Sequence, residues 1–183
     1  KIYRKPKNQW FLMIALPFIF IGYVGGTLYH GLRSDELWLL LDWVPIRGLS
    51  FAAILYFIFK WKKTWGRRII FVACIGLAFV GLRYLPIPRQ LEHSIGYVIS
   101  ALTILIPILG YLIKTKWRHA RPAIIAFVVF GFAVLFRVLD KRLDFDFFWM
   151  GTHWLWHLFG GTAVFFILQY IYRDNKAQAS DIS

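Results

Sequence analysis

The chain has 183 residues, of which 59% are hydrophobic, 20% are aromatic and only 17% are charged. This is too little polar surface to cover a soluble globule. The composition therefore excludes a soluble domain and favours a protein that lies in a bilayer. The net charge is +13, but the basic residues lie in short gaps between apolar runs, whereas a nucleic-acid partner would need a basic face on a folded soluble domain.

Six apolar runs approach or reach the roughly 20 residues that a membrane-spanning helix needs. They are Trp10 to Leu32, Leu37 to Phe59, Ile69 to Leu85, Ser94 to Ile113, Pro122 to Leu139 and Gly151 to Tyr172. We therefore predict an all-α integral membrane protein, in which six transmembrane helices form one domain over residues 1–183. Cys74, inside an apolar run, is the single cysteine, and one cysteine cannot form an internal disulfide.

The gaps between these runs alternate in charge. The strongly basic segments are the N-terminus and the gaps after the second and fourth runs: Lys1, Arg4, Lys5 and Lys7; Lys60, Lys62, Lys63, Arg67 and Arg68; Lys114, Lys116, Arg118 and Arg121. Loops rich in Lys and Arg stay in the cytoplasm. This bias predicts a cytoplasmic N-terminal segment 1–9, a cytoplasmic C-terminal tail 173–183 and three remaining gaps that face outward.

This topology brings four ionisable residues to the same, non-cytoplasmic end of the bundle. His30 ends the first helix, Asp42 lies early in the second, and His153 and His157 lie early in the sixth. His153 and His157 are i and i+4, so both imidazoles share one helix face at a separation that a metal ion can bridge. A charged Asp at mid-bilayer depth costs at least about 2.5 kcal/mol, and ionisable groups below a membrane surface usually mark function.

Each of these residues also has a purely structural interpretation. The two histidines of the sixth helix could lie in an interfacial belt with Trp149, Trp154 and Trp156. Asp42 could be solvated at a helix start or pair with Arg47. The convergence of three histidines and one carboxylate at one level favours a metal site.

Three neutral imidazoles leave one open position on a tetrahedral zinc ion, which is the arrangement of catalytic zinc sites. Zinc lowers the pKa of a water there and polarises a carbonyl, and Asp42 could carry the proton from water to the leaving amine. We therefore expect hydrolysis of an amide or ester. Calcium is not expected at Asp140, Asp144 and Asp146, because this loop lacks the glycine and the distal glutamate of a calcium loop.

Three blocks carry a resemblance to a known family: Gly25-Gly-Thr-Leu-Tyr-His30, Leu40-Leu-Asp-Trp-Val-Pro-Ile46 and Gly151-Thr-His-Trp-Leu-Trp-His-Leu158. In their order, and in the helices that hold them, they resemble the signature blocks of the alkaline ceramidases. That family belongs to a superfamily of seven-helix membrane hydrolases that includes the adiponectin and progestin receptors and the Per1-type proteins.

The resemblance implies a zinc ion held by His30, His153 and His157, with Asp42 near the reacting water. It also implies cleavage of a ceramide-like lipid amide to a sphingoid base and a fatty acid. The alternatives within the superfamily are a structural or receptor-type zinc site, as in the adiponectin receptor and haemolysin III branch, and a lipid esterase.

The chain departs from the family pattern in two places. The superfamily usually has a serine four residues before the first histidine, where this chain has Gly26, and Thr27 would reach the site only through a locally distorted helix. Ceramidases also have a further first helix after an acidic, calcium-binding segment, and nothing similar precedes Trp10. We expect either a six-helix version or a first helix further upstream, and the calcium regulation of the family is not carried over to this chain.

Overall fold

The computed structural model describes residues 9–32, 35–82, 84, 89–139 and 152–180, with the backbone alone for residues 79, 82, 89–101 and 153. These residues form six α-helices and no strand, which confirms the predicted all-α class. The helices are α1 (Trp10–Leu32), α2 (Glu36–Trp61), α3 (Trp65–Leu82), α4 (Arg89–Lys114), α5 (Arg121–Leu139) and α6 (His153–Ser180).

Four of the helices are long and apolar enough to cross a membrane: α1, α2, α5 and, from Trp154 onward, α6. Large apolar side chains on their surfaces stay exposed, among them Met13 at 73% and Phe20 at 67%. Contiguous exposed apolar surface of this kind is typical of a face covered by lipid or by a partner. These features are compatible with an integral membrane protein, and the predicted count of six spans stays a prediction.

The start of α2 follows directly from its sequence. Asp35 is extended, and its carboxylate accepts a hydrogen bond from the Leu37 N–H at 2.8 Å, as expected for a helix N-cap. Glu36 adds a negative charge to the first turn, where the helix dipole favours it. This cap places Asp42 in the second turn of the helix.

The largest difference between predicted and observed bounds is at the end of α6. The apolar run ends at Tyr172, but the helix continues to Ser180. Hydropathy marks the end of the apolar span, whereas the polar residues beyond it stay helical because their side chains find partners on α2 and α4. Asp174 and Asn175 are buried at this point.

The helices pack mainly in pairs, α1 along α2 and α5 along α6, and α2 also packs against α4. We call the end where α1 finishes and α2 and α6 begin the histidine end, and the opposite end the basic end. The buried core lies largely in the half nearer the basic end, where Phe57 stacks on Tyr170 at 6.1 Å between ring centroids. Apolar packing therefore holds the bundle together more firmly at the basic end.

A buried polar network joins α2, α4 and α6 at the basic end. Its centre is the Asp174 carboxylate, whose side chain is 2% exposed. Oδ2 of Asp174 accepts hydrogen bonds from the Tyr111 hydroxyl at 2.7 Å and from the Gln178 amide at 2.7 Å. It also lies 3.2 Å from the Lys60 ammonium, which makes an ion pair. A buried carboxylate is tolerated when it is paired and hydrogen-bonded in this way.

Lys60 extends the network to a second buried residue. Its ammonium also donates to Oδ1 of Asn175, which accepts a further hydrogen bond from the Tyr56 hydroxyl at 2.9 Å. Arg118, in the turn between α4 and α5, lies 3.9 Å from Oδ1 of Asp174. Three helices and one turn therefore meet around one negative charge.

Candidate metal centre

The position of Asp42 depends on a close approach between α1 and α2. A Cβ atom added at Gly25 would lie 2.5 Å from Cβ of Leu41 and 2.7 Å from the backbone nitrogen of Asp42. Only glycine fits such a contact, and small residues at helix interfaces are the usual way in which membrane helices approach closely. Gly25 thereby brings the second turn of α2 against the end of α1.

The Asp42 carboxylate lies beside the backbone of Gly26. A Cβ atom added there would be 2.6 Å from Oδ1 of Asp42, so a serine at this position would overlap the carboxylate. The glycine that departs from the family pattern therefore leaves room for Asp42. The Asp42 side chain is 13% exposed, and its Oδ2 atom is 3.9 Å from Nε2 of His30, whose side chain is 40% exposed.

His157, in the second turn of α6, completes the cluster. Its ring centroid lies 5.2 Å from that of His30, with 69° between the ring planes. Each of the three residues offers one ligand atom, and these atoms of His30, Asp42 and His157 all lie within 4.8 Å of one another. The structure thus brings together three of the four residues that the sequence predicts to converge, from three different helices.

The fourth residue, His153, is the first residue of α6, and its side chain lies outside the described residues. Sequence reasoning missed its neighbour Thr152, which is buried. The Thr152 hydroxyl donates to the Phe136 carbonyl of α5 at 3.1 Å, and its own carbonyl accepts from the Leu155 N–H at 3.1 Å. A threonine directly before a helix is a known start signal, and here it fixes the first turn of α6 against α5.

Three further predictions concern residues that are not part of the described cluster. Thr27 is exposed on α1, one residue beyond Gly26 and so about 100° further around the helix, and its role stays a prediction. The Arg47 guanidinium lies 4.5 Å from the centroid of the Trp43 ring, on the same helix. The acidic loop with Asp140, Asp144 and Asp146 lies outside the described residues.

The donor set of the cluster suits a zinc ion. Imidazole nitrogens and carboxylate oxygens are both common zinc ligands, and a tetrahedral ion with bonds of 2.0–2.1 Å holds its ligand atoms about 3.3 Å apart. The described donor atoms are separated by up to 4.8 Å, so they must close by about 1.5 Å at most to reach that spacing. Side-chain rotation of the half-exposed His30 can supply a movement of this size.

The chain matches no known family model, no curated protein and no solved structure. The resemblance to the alkaline ceramidases therefore rests on the three sequence blocks themselves. Two of these blocks are in direct contact, through Gly25, Gly26 and Asp42. The third block contributes His157 to the same cluster.

Proposed function

We propose that this chain is a zinc-dependent intramembrane hydrolase that cleaves the amide bond of ceramide or a related acyl lipid. The observation that supports the proposal is the convergence of His30, Asp42 and His157 from three helices of an apolar bundle. His30 and His157 would hold the ion together with His153, one turn earlier on α6. Asp42 would serve as the general base and acid.

A bound zinc ion supplies a Lewis acid that makes water a nucleophile near neutral pH and polarises the amide carbonyl. The chain's own part is proton transfer by Asp42, whose carboxylate is nearly buried beside His30. Asp42 accepts a proton as the water oxygen bonds to the carbonyl carbon, and it delivers that proton to nitrogen as the C–N bond breaks. Water is thereby added across the amide, which gives a fatty acid and a free amine.

The membrane orientation in this proposal follows from the basic residues. They are concentrated at the opposite end of the bundle from the cluster, so the basic end would face the cytoplasm and the cluster would lie near the other leaflet. A lipid substrate can reach this depth laterally. The choice of a ceramide-like lipid rests on the resemblance of the three blocks.

Exchange of His157 for asparagine is the direct test of the metal site. We expect about one zinc per wild-type chain, and loss of most of it from His157→Asn, because one of the ligands is gone. Elemental analysis of purified protein would measure the metal, and fatty-acid release from ceramide and from a phospholipid would measure activity in parallel. Zinc retained by the variant at the wild-type level would refute the site.

His119→Asn is the matched control for this experiment. His119 is exposed at the basic end and has a φ of 54°, a left-handed conformation that asparagine tolerates better than most residues. We expect this variant to keep both zinc and activity. Equal loss of zinc from the two variants would mean that the assay reports surface histidines and not the cluster.

A second candidate function is a structural or receptor-type zinc site. The supporting observation is that the Asp42 carboxylate is itself one of the three groups whose donor atoms converge, so it could close the coordination shell as a ligand. A closed site has no position for a water and ties α1, α2 and α6 together without hydrolysis. Zinc present with no lipid cleaved would favour this second function.

Asp42→Asn separates the two functions. If Asp42 transfers protons, the variant keeps its zinc and loses about 10²- to 10⁴-fold in amide hydrolysis. If Asp42 is a ligand of a closed site, the variant loses zinc, because a neutral amide is a poor substitute for a carboxylate. Zinc content and hydrolysis rate measured on one preparation give the answer, and a variant with full zinc and full activity would contradict both roles.

A further inference from the structure

The basic end of the bundle carries far more positive than negative charge. Among the described residues at this end Asp174 is the one carboxylate, and it is already paired with Lys60. The Lys and Arg residues around it are Lys60, Lys62, Lys63, Arg67, Arg68, Lys114, Lys116, Arg118, Arg121, Arg173 and Lys176. Most of this charge is therefore not compensated by the described part of the chain.

Two of these cations are held in fixed positions at the end of α2. The Arg68 guanidinium donates to the carbonyls of Lys62 at 2.9 Å and Phe59 at 3.3 Å, and it lies over the Phe59 ring at 4.5 Å. The Lys114 ammonium donates to the carbonyl of Lys60. Carbonyls at a helix C-terminus carry only partial negative charge, so they orient both cations without neutralising them.

The two cations also belong to a group of like charges. Arg68 and Lys114 donate to carbonyls that lie within four residues of one another, those of Phe59, Lys60 and Lys62, so the two cations are held close together at the end of α2. Positive charges that are held close together repel one another, and an anion between them removes the repulsion. Arg68 and Lys114 therefore form a prepared anion site between α3 and α4, which we call the Arg68–Lys114 site.

The same two helices line an apolar cleft of about 260 Å³ that begins about one turn along α3 from Arg68. Side chains from both helices line it, including Phe71, Cys74 and Ala78 of α3 and Leu102 and Ile106 of α4. Phe71 lies one turn along α3 from Arg68, whereas the nearest lining residue of α4, Ile106, lies about two turns from Lys114.

We propose that the Arg68–Lys114 site binds the phosphate of an anionic phospholipid, with one acyl chain in the cleft between α3 and α4. Basic pockets between helix ends on the cytoplasmic side are the usual sites for anionic headgroups. A free phosphate would account for the cations but not for the apolar cleft. The exposed Trp65, at the start of α3, lies where an aromatic residue contacts the headgroup region.

Native mass spectrometry of the full chain in a neutral detergent tests this proposal. The probes are phosphatidylglycerol and phosphatidylcholine with identical acyl chains. We expect wild-type protein to bind phosphatidylglycerol more tightly than phosphatidylcholine, and Arg68→Gln/Lys114→Gln to weaken phosphatidylglycerol binding by about 30-fold, because each cation contributes roughly a factor of five. Phosphatidylcholine binding is expected to stay nearly constant.

Arg173→Gln/Lys176→Gln is the matched control, because it removes the same charge from exposed positions of α6 at the same end. We expect it to leave phosphatidylglycerol binding close to the wild-type value. An equal loss in both double variants would overturn the proposal in favour of diffuse surface charge. Displacement of the lipid by inorganic phosphate at the same concentration would also overturn it, in favour of a free-anion site.

A measurement on the wild-type protein covers the case in which the Arg68→Gln/Lys114→Gln variant does not fold. Raising the salt from about 0.1 M to about 1 M shortens the Debye length from about 10 Å to about 3 Å. Phosphatidylglycerol binding at the Arg68–Lys114 site should weaken, whereas phosphatidylcholine binding should not. Equal affinity for the two lipids at low salt, or an affinity for phosphatidylglycerol that salt does not change, would refute the site.

Discussion

Replacement of Asp174 by leucine is expected to lower the free energy of unfolding by about 3 kcal/mol, because it leaves the partly buried Lys60 ammonium without its counter-charge. The carboxylate also accepts from Tyr111 and Gln178, so two further donors lose an acceptor. Unfolding in mixed micelles, titrated with a denaturing detergent and followed by tryptophan fluorescence, would measure the change. A variant as stable as the wild type would show that the polar network does not hold α2, α4 and α6 together.

The companion variants Lys60→Met and Asp174→Leu/Lys60→Met complete a double-mutant cycle. Removing both charges avoids an uncompensated ion, so we expect the double variant to be more stable than the sum of the two single losses indicates. After Lys60→Met the Asp174 carboxylate keeps Arg118 at 3.9 Å and its hydrogen bonds from Tyr111 and Gln178, so this variant should cost less than Asp174→Leu. Strictly additive losses would contradict a direct ion pair between the two residues.

Exchange of Gly25 for alanine is expected to cost about 3 kcal/mol, because the added methyl group overlaps the backbone and Cβ of α2 and forces the helices apart. The contact that it would break includes the backbone nitrogen of Asp42, at 2.7 Å from the added Cβ. The variant should therefore lose metal as well as stability, since Asp42 moves away from His30. Unfolding in mixed micelles and elemental analysis would measure the two effects.

Gly22→Ala is the matched control on the same face of α1. Its added Cβ would lie 3.7 Å from side-chain atoms of Pro45 and Ile46, which is ordinary van der Waals contact. Alanine is a better helix former than glycine by about 1 kcal/mol, so Gly22→Ala should be neutral or slightly stabilising. If Gly25→Ala behaves in the same way as Gly22→Ala, the helices do not approach as closely as the structure indicates.

Hydropathy was sufficient to predict the six α-helices that the described residues form. It could not predict all of their bounds, because it measures only how apolar a segment is. The end of α1 at Leu32 agrees with the apolar run, because polar residues follow it directly. The end of α6 at Ser180 does not, because Asp174 and Asn175 are buried by partners on other helices. A pattern within one helix carries no information about partners that are more than 100 residues away, such as Tyr56 for Asn175.

For the candidate metal centre, too, the sequence predicts some features and not others. Chain position alone was enough to place His30, Asp42 and His157 at one end of the bundle. The end of α1 and the start of α2 are adjacent in the chain, and the four helices from α2 to α5 return the chain to the same end at the start of α6. The contact between Asp42 and the backbone of Gly26 could not be predicted, since it depends on how closely α1 and α2 pack. In the sequence, Gly26 only marks the position where the family has a serine. In the structure, the Asp42 carboxylate occupies the space that a side chain at this position would need.

The uneven distribution of the core has a consequence for the opening of the molecule. Apolar packing and the Asp174 network close one end of the bundle, whereas the first and last helices meet at the other end through His30 and His157. The helices are therefore held together at the basic end, and the histidine end is the end at which the helix pairs can separate. An ion that binds both imidazoles is then linked thermodynamically to closure of the histidine end. Its affinity and the free energy needed to separate the helix pairs there are two measures of the same equilibrium.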